Sequence, residues 1–302
     1  MTPSQVSPSS PIVYRPTPGL AISLSSGFYG FYTHAAFVVE LHRAGYFPEQ
    51  IMGTSAGALV GLVCGMGLTG QAVSDFFWQP GVRSSFLDWL APLRVPGLVT
   101  SSYGSGILSG KNALRFLYSK LGHPRLEDFK CPRVHFAVTN LSRMEAQIVR
   151  EGDAVAFALA SCSIPGLFCN QIINGERWCD GAVSMHVPFD DWTNDDSIDT
   201  IVFHRLEHEP GTELTPKWPT LSTGFAKCHQ IIGDEIFKVR LRELERSGKR
   251  IIDVVTMAPH PRLVPTRERY ALVEAGKKSG LKVVAALKGE LAVEALTPVV
   301  AG

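Results

Sequence analysis

Between Glu49 and Asp75 the chain carries no charged residue, and glycines stand at 53, 57, 61 and 65 within that stretch. An uncharged run of this length restricts a fold strongly, because most of it must be taken out of water. Two placements meet that demand. The run is long enough to span a bilayer, and glycines at every fourth position make a helix face that another helix can approach closely. The alternative is a short strand, a turn and a helix pressed against a sheet. The second is favoured. Thr54, Ser55, Thr69 and Gln71 lie near the ends, leaving about a dozen solidly apolar residues, the length of a buried core helix. Gly53 and Gly57 suit a turn better than a continuous helix, and no basic cluster flanks the run to set an orientation.

The rest of the chain agrees with a globular reading. It has 302 residues, 45% hydrophobic and 19% charged, with a net charge of +1. That is enough chain for a large core, and the charge leaves no electrostatic footprint for nucleic acid. The six cysteines include no C-x-x-C pair, and no His pair stands at zinc-finger spacing near Cys162, Cys169 and Cys179. Free thiols of a reducing compartment fit this pattern. Residues 1–18 are polar and rich in Ser and Pro, without the basic start and apolar run of a secretory signal, and are expected to be a flexible tail. The protein is therefore expected to be cytoplasmic.

Order is expected from Gly19 onward. Residues 19–26 form a strand, 35–44 a helix that Gly45 stops, 50–55 a second strand, and 56–67 the uncharged helix. Regular structure is patchy over 75–102. A helix near 110–121, a strand over 134–140 and a helix from 152 that breaks at Pro165 follow. Asn174-Gly175 between strand-like arms is a hairpin signal. Strands at 199–205 and 249–258 flank a helix over 224–247, and 266–296 reads as helices broken at Gly280 and Gly289. Strands alternating with helices imply an α/β fold with a mainly parallel sheet covered on both faces. No stretch resembles an interdomain linker, so one domain over 19–302 is expected, its 263–302 segment a helical C-terminal extension.

The turn in the uncharged run spells G-x-S-x-G, Gly53-Thr54-Ser55-Ala56-Gly57. Glycines on either side of a serine allow a sharp strand-to-helix turn that strains the serine backbone and exposes its hydroxyl. The following helix N-terminus favours developing negative charge. A serine nucleophile also needs a base and an oxyanion hole. His123, His135, His186, His204, His208, His229 and His260 follow it. An α/β-hydrolase arrangement fits poorly, because the elbow comes after only two strands and no His-Gly-Gly segment precedes it. Asp180, at the end of a hairpin arm and next to Gly181, is the other candidate base; by itself it reads equally as a turn aspartate.

Three blocks, taken together, resemble the patatin-like phospholipase family. "LSSGFYGFYTHAAFVVELHRAGY" (24–46) is similar to the family's glycine-rich oxyanion loop and first helix, "IMGTSAGALVGL" (51–62) to its nucleophile elbow, and "CDGAV" (179–183) to its aspartate block. "ASCSIPGLF" (160–168) is similar to the segment leading into that block. The resemblance implies a three-layer α/β/α patatin-like fold. It also implies a Ser–Asp dyad with Ser55 as nucleophile and Asp180 as base, and an oxyanion hole from the backbone of Gly27, Phe28 and Gly30. His34 stands where the family often has a histidine and is read as structural. The implied activity is a lipid acyl hydrolase acting through an acyl-enzyme, with a lipid or ester substrate and no cofactor or metal. An acyltransferase on the same scaffold and a catalytically inactive lipid-binding protein are the alternatives. An aspartate near its reference pKa of about 3.9 is a poor base for a hydroxyl, so the oxyanion donors must carry much of the catalysis. One departure stands out: "SSGFYGF" has Phe28 and Tyr29 between its glycines and no basic residue. That weakens recognition of an anionic phosphate and leaves room for neutral esters or glycerolipids.

Other motifs are set aside. His204 to His208 spell H-x-x-E-H, but zinc chemistry needs both histidines on one helix face, and His204 ends an apolar strand. "GSGILSGKN" (104–112) is out of register for a phosphate loop. The aromatic-rich 76–98 segment, with Phe76, Phe77, Trp78, Phe86, Trp89, Leu90, Leu93, Val95 and Leu98, offers either a lip for peripheral membrane contact or a cap on the core.

Overall fold

In the computed structural model, which describes residues 14–99, 105–208, 221–258 and 268–292, alternating strands and helices build a three-layer α/β/α sandwich. In chain order they are β1 (Leu20–Leu24), α1 (Phe31–Arg43), β2 (Gln50–Thr54), α2 (Ala56–Gly65), α3 (Gln71–Trp78), α4 (Val82–Ser85), α5 (Ala91–Val99) and β3 (Gly106–Leu108). They continue with α6 (Lys111–Leu121), β4 (Arg133–Asn140), β5 (Glu145–Val149), α7 (Ala154–Ser161), β6 (Gly166–Phe168), β7 (Gln171–Ile173) and β8 (Glu176–Asp180). β9 (Thr200–His208), α8 (Leu221–Arg246), β10 (Arg250–Ala258) and α9 (Glu268–Leu287) complete the order.

The main sheet runs β10-β9-β1-β2-β4-β8-β7, with β5 also on β4. Its β10-to-β4 portion is parallel, while β5, β8 and β7 pair antiparallel. Successive strand residues point to opposite faces, and the core divides accordingly. Leu20, Ile22 and Leu24 of β1 join a cluster with α1, α2 and α9, whereas Ala21 joins Met52, Phe203, Trp192 and Phe237 beneath α8. The mainly parallel sheet expected from the alternation is the one found.

The uncharged run is strand, turn and helix. β2 is buried along its whole length, and α2, only ten residues long, is buried from Ala56 to Cys64. No helix among the described residues is long and apolar enough to cross a membrane. Asn174 (φ 53°) and Gly175 (φ 81°) close the β7–β8 hairpin.

Several expectations need correction. α1 starts at Phe31 rather than 35, directly after the bend that ends in Gly30. Residues 1–13 lie outside the described residues, but 14–18, assigned to the flexible tail, are held. Tyr14 packs on Phe47 and donates to the Pro48 carbonyl, and Thr17 exchanges hydrogen bonds with Phe47. α9 is not broken at Gly280, and it packs along α1. A β-carbon on Gly276 would lie 2.1 Å from the Thr33 carbonyl oxygen, and one on Gly280 2.9 Å from that of Phe37. The glycines permit α9 to press against α1; they do not interrupt it. Gly289, in a left-handed conformation, does close it. The remainder of the 263–302 segment lies outside the described residues.

The aromatic segment divides. Phe76, Phe77 and Phe86 are buried, with Phe77 stacked on Phe31 and Phe86 edge-on to Phe168. They cap the core because α3 and α4 lie directly against α1 and α6. Trp78 packs edge-on to Tyr32. Trp89, Leu90, Leu93 and Val95 are exposed, and the Leu98 side chain lies outside the described residues.

Candidate active site

Ser55 stands on the turn between β2 and α2 with φ 55° and ψ −115°, a region a non-glycine residue occupies only under constraint. The constraint is close packing. A β-carbon on Gly57 would stand 2.2 Å from the Leu24 carbonyl oxygen, and one on Gly53 2.4 Å from the Gly57 carbonyl. Both positions therefore exclude any side chain. Ser55 caps the α2 N-terminus, where the helix dipole favours an anion.

A segment that sequence reasoning did not single out as functional secures this turn. The Ser55 N–H donates to Ser161 Oγ at 2.8 Å, and the Cys162 thiol donates to the Ser55 carbonyl at 3.1 Å. The Ser163 carbonyl accepts the Asp180 N–H at 2.9 Å. Three consecutive residues thus tie the nucleophile candidate and the base candidate to one short stretch after α7. The block "ASCSIPGLF" contained them, but nothing local marks a serine as an acceptor for an amide over a hundred residues away.

Asp180 ends β8, opposite Val138 of β4, and is 1% exposed. Gly181 allows this approach, since a β-carbon there would meet the Ala137 carbonyl oxygen at 2.1 Å. Asp180 Oδ1 accepts the Ala182 N–H at 2.8 Å, whereas Oδ2 is buried without a hydrogen-bond partner among the described residues. Burial pushes the carboxyl up from its ordinary 3.8 to about 7, against the lowering influence of Ala182 and of the neighbouring Ser55 hydroxyl. Ser55 is thus close enough to act on the carboxylate, although no hydrogen bond of ordinary geometry closes on Oδ2. A carboxylate with this affinity for protons is a better base near neutrality than the sequence suggested.

The bend after β1 brings Gly27, Phe28 and Tyr29 to the same apolar cleft as Ser55 and Ala56. Tyr29 has φ 50°. The Gly30 N–H is already engaged, donating to the Gly27 carbonyl at 2.8 Å, while the Gly27 N–H has no acceptor among the described residues. Gly30 therefore shapes the bend, and Gly27 is the one of the two that lines the cleft. The cleft, of about 40 Å³, is walled by Phe31, Leu59, Phe86, Leu108, Ile164 and Phe168.

Among the described residues, no candidate histidine lines the cleft that holds Ser55. His204 lies in β9, a strand, so the zinc-protease spacing does not set it on a helix face. His34 and His204 are buried against one another, His186 bonds Ser26, and His135 is pushed down to about 4 by burial. The His208 and His229 side chains and all of His260 lie outside the described residues.

The family model described as Patatin-like phospholipase matches residues 22–192, more than half of the chain. An NTE family protein of Mycobacterium bovis is 26% identical over 172 residues, covering 57% of this chain and 45% of its own. NTE family proteins of two Mycobacterium tuberculosis strains match at the same identity and coverage. The chain thus spans less than half the length of these curated relatives. Among solved structures, VipD from Legionella pneumophila superposes with a TM-score of 0.56 at 13% identity, covering 90% of this chain and 67% of that one. The type III effector ExoU gives 0.41 at 11% identity, over 89% and 53%.

Proposed function

Since the chain belongs to the patatin-like phospholipase family, we propose that it is a serine lipid acyl hydrolase working through a Ser55–Asp180 dyad. The observation that carries this reading is the orphaned Asp180 Oδ2. A buried carboxylate oxygen without a partner is costly and calls for an explanation. A neighbouring serine hydroxyl on a strained elbow supplies one.

In this reading Ser55 Oγ attacks the ester carbonyl carbon as its proton passes to Asp180 Oδ2. The carbonyl oxygen becomes an oxyanion beside the Gly27 and Phe28 amides and the α2 N-terminus. Such donors act strongly because they are oriented before charge develops. Collapse expels the alcohol, which takes the proton from Asp180, and leaves an acyl-Ser55 ester. Water then attacks with Asp180 again as base, and the carboxylic acid leaves.

The apolar lining of the cleft favours acyl chains over polar substrates. The exposed Trp89, Leu90, Leu93 and Val95 suit peripheral contact with a membrane. Phe86 and Leu108 line the cleft, and Asp88 binds both Arg94 of α5 (2.8 Å) and Ser109 (2.6 Å), fastening the exposed segment to that wall.

The test is a serine-reactive fluorophosphonate. It is expected to label the protein at Ser55 and to fail on Ser55→Ala, which also loses hydrolysis of a short-chain ester while melting normally. Unchanged hydrolysis by Ser55→Ala would refute the reading.

A further inference from the structure

We propose that His34 and His204 are positioning residues that hold the 25–30 bend against the nucleophile elbow through a one-way chain of hydrogen bonds. The inference rests on the Ser55–Asp180 reading above. Five fully buried polar groups lie in line. His34 Nε2 meets the Ser25 carbonyl at 2.9 Å, His34 Nδ1 meets His204 Nδ1 at 2.8 Å, and His204 Nε2 meets Thr256 Oγ1 at 2.9 Å. Thr256 Oγ1 in turn meets Ser279 Oγ. The chain crosses from α9 through β10, β9 and α1 to the root of the bend.

Only one assignment of hydrogens satisfies every contact. A carbonyl oxygen accepts only, so His34 Nε2 carries the hydrogen. Burial keeps the ring neutral, with its pKa lowered to about 3, so Nδ1 holds a lone pair. His204 Nδ1 must then donate, and its neutral ring leaves Nε2 as acceptor. Thr256 donates to that atom and accepts from Ser279. Every donor points toward Ser25.

The far end of the chain is the segment that carries the proposed oxyanion donors. The Ser25 N–H donates to the His204 carbonyl at 3.2 Å, and Ser25 Oγ accepts the Leu206 N–H at 3.0 Å. The Leu206 side chain fills the space beside Gly27 and Gly30, where β-carbons would lie 2.8 and 2.3 Å from its Cδ1. One strand, β9, therefore sets the Ser25 peptide through its backbone, and through His204 and His34 it sets the direction of the Ser25 carbonyl. Simple filling does not require this. Two imidazoles in a dry core cost free energy that Phe or Leu would not, unless every polar atom is paired. Here each is paired, in a single direction that ends at the bend.

The experiment combines spectroscopy and kinetics on the full chain. Long-range ¹H–¹⁵N spectra are expected to show His34 as the Nε2–H tautomer and His204 as the Nδ1–H tautomer. His34→Phe is expected to slow both fluorophosphonate labelling and kcat on a soluble ester by about 100-fold, with KM within about twofold. His34→Gln, whose amide N–H can reach toward Ser25, restores about tenfold of that loss. Thr256→Val, remote from the cleft, removes the donor that fixes His204 and lowers kcat in the same sense, so the inference stays testable if His34→Phe does not fold. The opposite tautomers, or wild-type kcat in folded His34→Phe or in folded Thr256→Val, would overturn it. Hydrolysis surviving in Ser55→Ala is a different failure: it removes the dyad and with it any positioning role, whereas wild-type rates in the histidine-chain variants alone leave the dyad standing.

Discussion

Ser161 Oγ accepts the Ser55 N–H at 2.8 Å and donates to the Ala137 carbonyl at 2.7 Å, so one buried hydroxyl joins the turn that carries Ser55 to β4. Ser161→Ala leaves the Ser55 amide buried without an acceptor. We expect a stability loss of about 1–3 kcal/mol and a fall in kcat of about tenfold or more as the strained turn relaxes. Ser163→Ala provides the comparison, because its hydroxyl only bonds back to the Leu159 carbonyl one turn earlier. It is expected to cost about 1 kcal/mol or less and to leave kcat close to wild type. Thermal melting and steady-state kinetics on a short-chain ester measure both.

Asp180 gives a pH signature with two opposed parts. As a base it must be ionised, so activity is expected to fall through an acid limb centred near pH 7. Stability moves the other way. The folded protein holds the Asp180 proton up to about pH 7, whereas the unfolded chain releases it near 3.8. Between those values the folded state binds more protons, so stability from this group is full below about pH 4 and is lost as pH rises to about 7. The displacement corresponds to at most about 4 kcal/mol. Asp180→Asn removes that cost: it is expected to abolish hydrolysis, to raise Tm at pH 8 and to change it little at pH 4.5. A lower Tm at pH 8 would contradict the assigned direction.

These two residues also mark where the sequence was legible. The elbow could be read because its determinants are adjacent: strand, glycine, serine, glycine and apolar helix occupy one continuous run. The hairpin that carries Asp180 could be read from Asn174-Gly175 for the same reason. Ser161 could not, because a serine at a helix end has no local mark of an N–H donor 106 residues earlier. His34 and His204 lie 170 residues apart and meet only because β9 inserts beside β1. The raised Asp180 pKa depends first on burial, which the sequence does not display. Gly280 was misread for a related reason: a glycine inside a helix pattern suggests a break unless the neighbouring helix is known.

That misreading leads to a stability prediction. The Thr33 carbonyl sits where a Gly276 β-carbon would be, and it is backbone, so it cannot move aside as a flexible side chain could. Gly276→Val must push α9 off α1, the helix that starts at the 25–30 bend. A loss of about 3 kcal/mol or more is expected, together with reduced activity. Gly289→Ala tests the other role of glycine in α9. Its β-carbon meets nothing within 4 Å, and only its φ of 76° opposes a side chain. About 1 kcal/mol is expected there, with activity unchanged. Chemical denaturation separates the two.

The exposed residues of the 89–95 stretch yield a prediction about surfaces. Trp89 is 96% exposed and Leu93 70%, yet the same segment is pinned through Asp88 to the cleft wall. If the segment meets a membrane, each large side chain buried there contributes up to about 1.5–3 kcal/mol. Trp89→Ser with Leu93→Ser is therefore expected to weaken co-sedimentation with neutral phosphatidylcholine vesicles by about tenfold or more and to slow hydrolysis of vesicle lipid in proportion. Hydrolysis of a water-soluble ester should be unchanged, because neither side chain lines the cleft. The contrast between the two substrates decides the matter. An equal loss on both would mean that the pair supports the cleft wall, and no loss on either would remove these residues from lipid contact altogether.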